Sequence, residues 1–417
     1  MLLEFKVKNF RSFRDETKLS MVASSDKAHA DTNLASTGLK SLPQAVRVAA
    51  IYGANASGKS NLIRAMQLMR GIVQQSANLQ PNQPFNIQPF MLNPASRDEP
   101  TEFEVTFVRA GVRYQYGFTL ATNRILSEWL LVYKAAKPQQ WFSRETDTKS
   151  GEDVYEFSAY LIGQKRLWQE ATKPNSLYLS VAAQLNSEQL TAVYTWITQY
   201  LLVIENGSVP FFDHTVSHIR NSDSSPVVEF LSEADISIAG VDFEEKKGFE
   251  QEILVDAATG KMNPIAREKT FVVPRFKHQS ELTSAVFDFA DESDGTKKLF
   301  ALFGPLADIF REGKVLVVDE LDRSLHALLA RQIIQMFQDP EVNKNGAQLI
   351  VTTHDTTLLD ADLLRRDQIW FTEKDTSQAS SLYSLTDFAA RKNEAFEKGY
   401  LSGRYGAVPI LRKFRVS

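Results

Sequence analysis

Val48-Ala-Ala-Ile-Tyr-Gly53-Ala-Asn55-Ala-Ser-Gly58-Lys59-Ser60-Asn61 is an uninterrupted apolar run that breaks into a glycine-bounded turn. Beyond it, Leu62, Ile63, Met66, Met69, Ile72 and Val73 recur at helical spacing. The stretch reads as a buried strand, a Gly-x-x-x-x-Gly-Lys-Ser loop and an amphipathic helix, the context in which that pattern has a mechanism. A polyphosphate needs backbone N–H donors gathered at a helix N-terminus, where the helix dipole adds positive charge. Gly53 and Gly58 let the chain curl round an anion, Lys59 carries charge to the β- and γ-phosphates, and Ser60 offers a hydroxyl to Mg²⁺. Asn55 and Asn61 complete the candidate nucleotide-holding set. Without ligand, the same residues would make an ordinary small-residue turn.

The far half of the chain supplies matching parts. Lys314-Val-Leu-Val-Val-Asp319-Glu320 is a second buried strand, ending in paired carboxylates. Beside a phosphate loop, Asp319 would hold Mg²⁺ through water and Glu320 would orient and polarise the attacking water. Gln348-Leu-Ile-Val-Thr-Thr-His354 is a third such strand, whose terminal imidazole is placed to sense a γ-phosphate. Glu292-Ser-Asp-Gly295-Thr precedes Leu299, Leu302, Phe303, Leu306 and Phe310 at helical spacing. That is a second polar helix start, open both to a plain capping reading and to a γ-phosphate bound on a second subunit.

Around these parts the chain reads as α/β. It has 417 residues, 43% hydrophobic and 24% charged, enough for two or three lobes of roughly 150 residues each. No apolar stretch approaches the about 20 residues of a membrane span, so no membrane partner is expected. The N-terminus alternates like a strand rather than forming a leader, and there is no cysteine, which together suggest the cytoplasm. Net charge is −4, so any DNA contact would need a local patch. The basic clusters are only pairs, Lys246-Lys247 and Arg365-Arg366, patterns that usually mark solvated faces.

Thr101 to Val108 and Val112 to Leu120 alternate on either side of Ala110-Gly111 and predict an antiparallel hairpin, with Ile125–Tyr133 a further strand. Helical spacing over 175–205 suggests an inserted helical subdomain, and strand and helix alternate again from Phe271. The domains expected are thus 1–170, an N-terminal lobe with the loop and antiparallel hairpins; 171–270, a helical or mixed insertion; and 271–417, a C-terminal lobe. No heptad run is long enough for a coiled coil.

In this order, phosphate loop, Ser293-Asp-Gly295-Thr, Asp319-Glu320, Leu321-Asp322 and His354, with Asn9-Phe-Arg-Ser-Phe near the start, the chain resembles ABC-type ATPases of the SMC/RecF group. The resemblance implies an ABC-type ATPase head with a mixed antiparallel β lobe, a parallel P-loop sheet and a helical insertion. It implies ATP and Mg²⁺ as ligands and a homodimer or higher homo-oligomer through ATP-sandwiched heads. It further implies that Ser293 and Gly295 contact γ-phosphate in trans, that Asp322 belongs to a D-loop coupling two sites, that Arg11 touches nucleotide, and that Gln88 is the Q-loop glutamine on the metal side. Asp294 stands where the usual signature has glycine. Pro100-Thr-Glu-Phe-Glu-Val, Asn175-Ser-Leu-Tyr-Leu-Ser and Lys398-Gly-Tyr-Leu-Ser-Gly-Arg-Tyr-Gly-Ala-Val-Pro409 look like RloA-type ATPases of abortive-infection loci. That likeness implies antiviral defence and a partner effector, a TOPRIM-type nuclease. The other expectations are a RecF-like ATPase gripping DNA, and a nucleotide-binding scaffold with very slow turnover.

Overall fold

The apolar run Val48–Gly53 is a strand (β1), buried at every position, and Lys59–Gln75 is the helix (α1) that follows. Four more strands with their own apolar runs join it: Leu201–Ile204 (β2), Val315–Val318 (β3), Gln348–Thr352 (β4) and Ile369–Lys374 (β5). Ser380–Ser384 (β6) closes the sheet, whose order is β2-β3-β4-β1-β5-β6. The first five strands are parallel and β6 pairs antiparallel with β5. Parallel pairing brings the carboxyl ends of β1, β3 and β4 to one edge, the usual place for a ligand in such a sheet.

We describe a computed structural model over residues 1–135, 137–205, 212–220, 224–234, 236–255, 262–323, 325–388 and 395–409. The chain forms two compact units: Met1–Gly207 with Ile309–Arg323 and Ala327–Ser417, and Ser208–Asp308 with Ser324–His326.

The first unit holds the parallel sheet and a seven-stranded antiparallel one. The latter runs, edge to edge, Asp153–Phe157, Gln139–Thr146, Arg124–Tyr133, Val112–Ala121, Thr101–Arg109, Leu2–Lys8 and Thr17–Ser20. The expected hairpin is there, with Phe103 opposite Phe118 and Val105 opposite Tyr116. Leu62, Ile63, Met66, Met69 and Val73 of α1 share one core with Ala49 and Ile51 of β1 and with Phe5, Phe103 and Phe118 of the antiparallel sheet.

The 175–180 motif fastens α1 at its far end. Ser180 Oγ donates to Val73 O at 2.7 Å and Ser176 Oγ to Ser76 O at 2.8 Å, while Asn175 Nδ2 donates to Gln80 O at 2.7 Å. Beneath it lies a buried polar network of Glu128, Arg144, Tyr116 and Asp153. Buried hydrogen-bonded networks of this kind help to specify one arrangement of a core.

The second unit contains helices Phe212–Arg220 and Ser225–Glu233 and a three-stranded antiparallel sheet, Ile238–Val255, Met262–Gln279 and Ser284–Asp288. The 18-residue strand Ile238–Val255 has no counterpart in the sequence pattern, for a physical reason. Glu245, Lys246 and Lys247 are all exposed, so that part of the ribbon is wet on both faces and alternation does not appear. The helix Asp294–Glu312, at 19 residues, is the longest among the described residues, too short for a coiled-coil arm. No described helix is long and apolar enough to cross a membrane.

Candidate nucleotide-binding site

At the carboxyl edge of the parallel sheet, β1 ends in Gly53 and the chain curls before α1. A Cβ on Gly53 would lie 2.5 Å from the Thr372 carbonyl oxygen of β5, and one on Gly58, at φ 124°, would lie 2.5 Å from Ser380 Oγ, so both positions require glycine. The loop is braced from below by hydroxyls that the sequence did not single out. Ser57 Oγ and Thr372 Oγ1 are 2.5 Å apart, Ser380 Oγ donates to Ser57 O at 2.5 Å, and Asn61 Nδ2 donates to Ser12 Oγ at 2.8 Å. Asn55 projects from the loop into solvent.

Lys59 is buried, 5% exposed, and its ammonium folds back on the loop, donating to Gly53 O at 2.7 Å and Ala54 O at 3.2 Å. Two loop carbonyls thus hold a cation inside the turn. Burial lowers the Lys59 pKa to about 8, against the opposing pull of Asp319, Glu320 and Asp322. A bound phosphate would raise it again. The sign follows: below about pH 7 the amine is already charged and binding takes up no proton there, whereas above pH 8 the empty site has lost its proton and binding must recover it. Calorimetry at pH 8.5 in two buffers of different ionisation enthalpy should therefore show about half a proton or more taken up per ATP; no uptake would mean that Lys59 does not face the phosphates.

Asp319 follows β3 directly and is 7% exposed. Its Oδ1 accepts from Ser60 Oγ at 3.1 Å and from Thr352 Oγ1 at 2.6 Å. Helix N-terminus and acidic strand, 259 residues apart, thereby meet at one carboxylate oxygen. Glu320 takes a left-handed backbone, φ 53°, and its N–H donates to Thr352 Oγ1 at 2.8 Å. Its carboxylate lies 3.8 Å from Arg323 Nη1. His354 follows β4, with its backbone N–H donating to Asp322 Oδ2 at 3.3 Å. Burial, and then the Lys59 charge, push the imidazole below its usual range, which favours its neutral form.

The first unit therefore brings together Gly53, Gly58, Lys59, Ser60, Asn61, Asp319, Glu320, Asp322 and His354. Hard oxygen donors from one hydroxyl and one carboxylate fit Mg²⁺, which keeps several waters and takes its other ligands from phosphate. No group of three or more His, Cys, Asp or Glu able to hold a metal occurs among the described residues.

Arg11 and Gln88 lie beside one another, the Arg11 N–H donating to Gln88 O at 2.8 Å. The Arg11 side chain lines a cavity of about 440 Å³ along the flank of α1, with Arg64, Gln67 and Glu205, and no residue from 53 to 61 lines it. Gln88 is exposed. Ser293 and Gly295 belong to the second unit, where Ser293 Oγ accepts from Thr296 N at 3.1 Å and caps the helix Asp294–Glu312.

The 398–409 motif packs behind the site. Tyr400 stacks on Phe371 of β5 at 5.5 Å and meets Tyr52, the residue before Gly53, at 6.0 Å. Tyr405 stacks on the same Phe371 at 5.8 Å. Gly399 leaves no room for a Cβ, which would lie 2.6 Å from Tyr405 Oη. Glu397 accepts from Thr356 Oγ1 at 2.7 Å, tying this segment to the turn after His354.

No curated protein matches the chain. Among solved structures it is similar to the SMC head domain from Thermotoga maritima, with a TM-score of 0.42 and 15% identity over 92% of this chain and 98% of that chain. A family model described as "AAA domain, putative AbiEii toxin, Type IV TA system" matches residues 48–360, from the first residue of β1 to just beyond His354. With the phosphate loop, the paired carboxylates and the strand-end histidine all inside that match, the chain belongs to this AAA-domain family.

Proposed function

We propose that this protein binds and hydrolyses ATP with Mg²⁺, closes around ATP as a head-to-head homodimer, and through that closure controls a partner effector, a TOPRIM-type nuclease, in bacterial anti-phage defence. The observation that carries the hydrolytic part is the 3.1 Å contact between Ser60 and Asp319, beside a buried Lys59 turned onto its own loop. Hydroxyl, carboxylate and ammonium are the three groups that phosphoryl transfer needs in one place.

Lys59 would release Gly53 O and Ala54 O to grip the β- and γ-phosphates. Ser60 and Asp319 would hold the metal, Asp319 through water, and the metal when bound would neutralise charge developing on the phosphates. Glu320 would accept a hydrogen bond from the attacking water and draw its proton. His354, in the neutral form that its burial favours, would donate one ring N–H to the γ-phosphate without adding charge.

Dimer closure rests on Ser293 and Gly295 reaching the γ-phosphate of a second copy. A phosphate shared in that way exists only with ATP, so ATP has the differential affinity needed to shift the equilibrium. The matched family's description names the AbiEii toxin of a type IV TA system, which supports a setting in abortive infection. The basic pairs that a duplex-gripping protein would offer each have acidic partners, buried for Arg365 and Arg366 and on the surface for Lys246 and Lys247. Arg365 is buried against Asp367 at 2.7 Å, Arg366 meets Asp26 at 2.6 Å, Lys246 meets Asp288 at 3.2 Å and Lys247 meets Glu268 at 3.5 Å.

Lys59→Ala tests the reading. Loss of one charge-assisted contact should weaken ATP binding about 10- to 100-fold, and protection of cells against phage should disappear with it. Protection that survives the substitution would sink the regulatory role.

A further inference from the structure

Thr352 is the last residue of β4, wholly buried, with β3 on one side and β1 on the other. Its hydroxyl makes two bonds at once. It donates to Asp319 Oδ1 at 2.6 Å and accepts the Glu320 N–H at 2.8 Å. The Thr352 carbonyl then accepts the Leu321 N–H at 3.0 Å. One residue of β4 thus holds three successive residues leaving β3. Thr353, its twin in sequence, does something ordinary: its hydroxyl accepts from Asp355 N at 3.0 Å in a local turn.

Two consequences follow. Asp319 Oδ1 receives hydroxyl donors from both Ser60 and Thr352, which fixes the rotation of the carboxylate and leaves its second oxygen to face a metal or its water. Glu320 occupies a left-handed backbone that a non-glycine residue holds only when its surroundings impose it, and here the imposing contacts are the two bonds to Thr352. From this geometry we infer that Thr352 is a positioning residue, setting Asp319 for the metal and Glu320 for the attacking water; the inference rests on the ATPase reading above. It touches neither substrate nor metal and acts through both carboxylates.

The test compares Thr352→Val, which keeps the shape and loses the hydroxyl, with Thr352→Ser, which keeps the hydroxyl. For each variant, kcat, the KM for ATP and the Mg²⁺ concentration at half-saturation of ATP binding are measured, with a thermal melt as control. The valine variant is expected to lose about 30-fold in kcat with KM within about threefold, and to need about fivefold more Mg²⁺, while melting normally. Serine should restore both quantities to within about threefold of the parent. A valine variant indistinguishable from the parent, or a serine variant as impaired as the valine one, overturns the assignment. Should valine prevent folding, Thr352→Ala replaces it. If the parent protein binds Mg²⁺-ATP and never turns it over, the hydrolysis reading fails by itself, and the Mg²⁺ requirement alone decides on Thr352: a shift in the valine variant supports it and none refutes it.

Discussion

Glu320→Gln should lower ATP turnover by about 10³-fold while ATP remains bound, and the protein in ATP and Mg²⁺ should have twice the mass of the nucleotide-free form. Glutamine has the shape of glutamate but cannot take a proton, so it removes the base and leaves the site intact. The backbone there is held independently of the side chain, through the Thr352 bonds to the N–H groups of Glu320 and Leu321, so the substitution should not disturb Asp319. Glutamine also gives up the 3.8 Å ion pair with Arg323, whose side chain is largely exposed, so that loss is worth little. Light scattering on the purified variant, with and without nucleotide, reads the second half of the expectation. Turnover within about threefold of the parent would exclude Glu320 as the base. ATP bound with no change in mass would exclude Ser293 and Gly295 as contacts in trans.

The second large effect concerns stability. Arg144 is fully buried and donates to Ser176 O at 2.6 Å, Pro174 O at 3.2 Å, Lys173 O at 3.3 Å and Asp153 Oδ2 at 2.6 Å. Facing it at 3.9 Å is Glu128, also fully buried, which accepts the Tyr178 N–H at 2.7 Å, the Leu179 N–H at 2.9 Å and the Tyr116 hydroxyl at 2.9 Å. Burial pushes the Glu128 carboxyl up even against the pull of Arg144 and these donors. Arg144→Met would therefore leave a buried carboxylate without its cation and the Ser176 carbonyl without its guanidinium donor, while Lys173 O and Pro174 O keep the backbone N–H groups of Ser176 and Ile125, at a cost of about 3–5 kcal/mol. Removing both charges, as Glu128→Gln with Arg144→Met, should recover a good part of that loss. Denaturant unfolding followed by tryptophan fluorescence measures both; a single variant as stable as the parent would show that the pair is not buried as described.

Reading the chain alone went furthest where local chemistry and burial agree. Val48–Gly53, Val315–Val318 and Gln348–Thr352 are continuous apolar runs because parallel strands are covered on both faces, so their ends could be found without a fold. The glycines at 53 and 58 were legible for the same kind of reason, since only glycine suits the backbone there. The Thr101–Ala121 hairpin showed itself by alternation, its inner face packing on α1. The long ribbon of the second unit did not, because a strand wet on both sides has no period to read.

What the sequence determined by itself, then, is the set of parts: a phosphate loop, a carboxylate pair, a strand-end histidine and the α/β order in which they occur. Only the tertiary structure decided which distant atoms touch. Ser60 meets Asp319, one hydroxyl of two adjacent threonines turns to the Asp319 carboxylate and the Glu320 N–H, and Arg365 and Arg366, a basic pair in sequence, are both neutralised by aspartates. Spacing along a strand or helix is set by local geometry and leaves a period, whereas contacts between strands depend on register and sheet order, which no local pattern encodes.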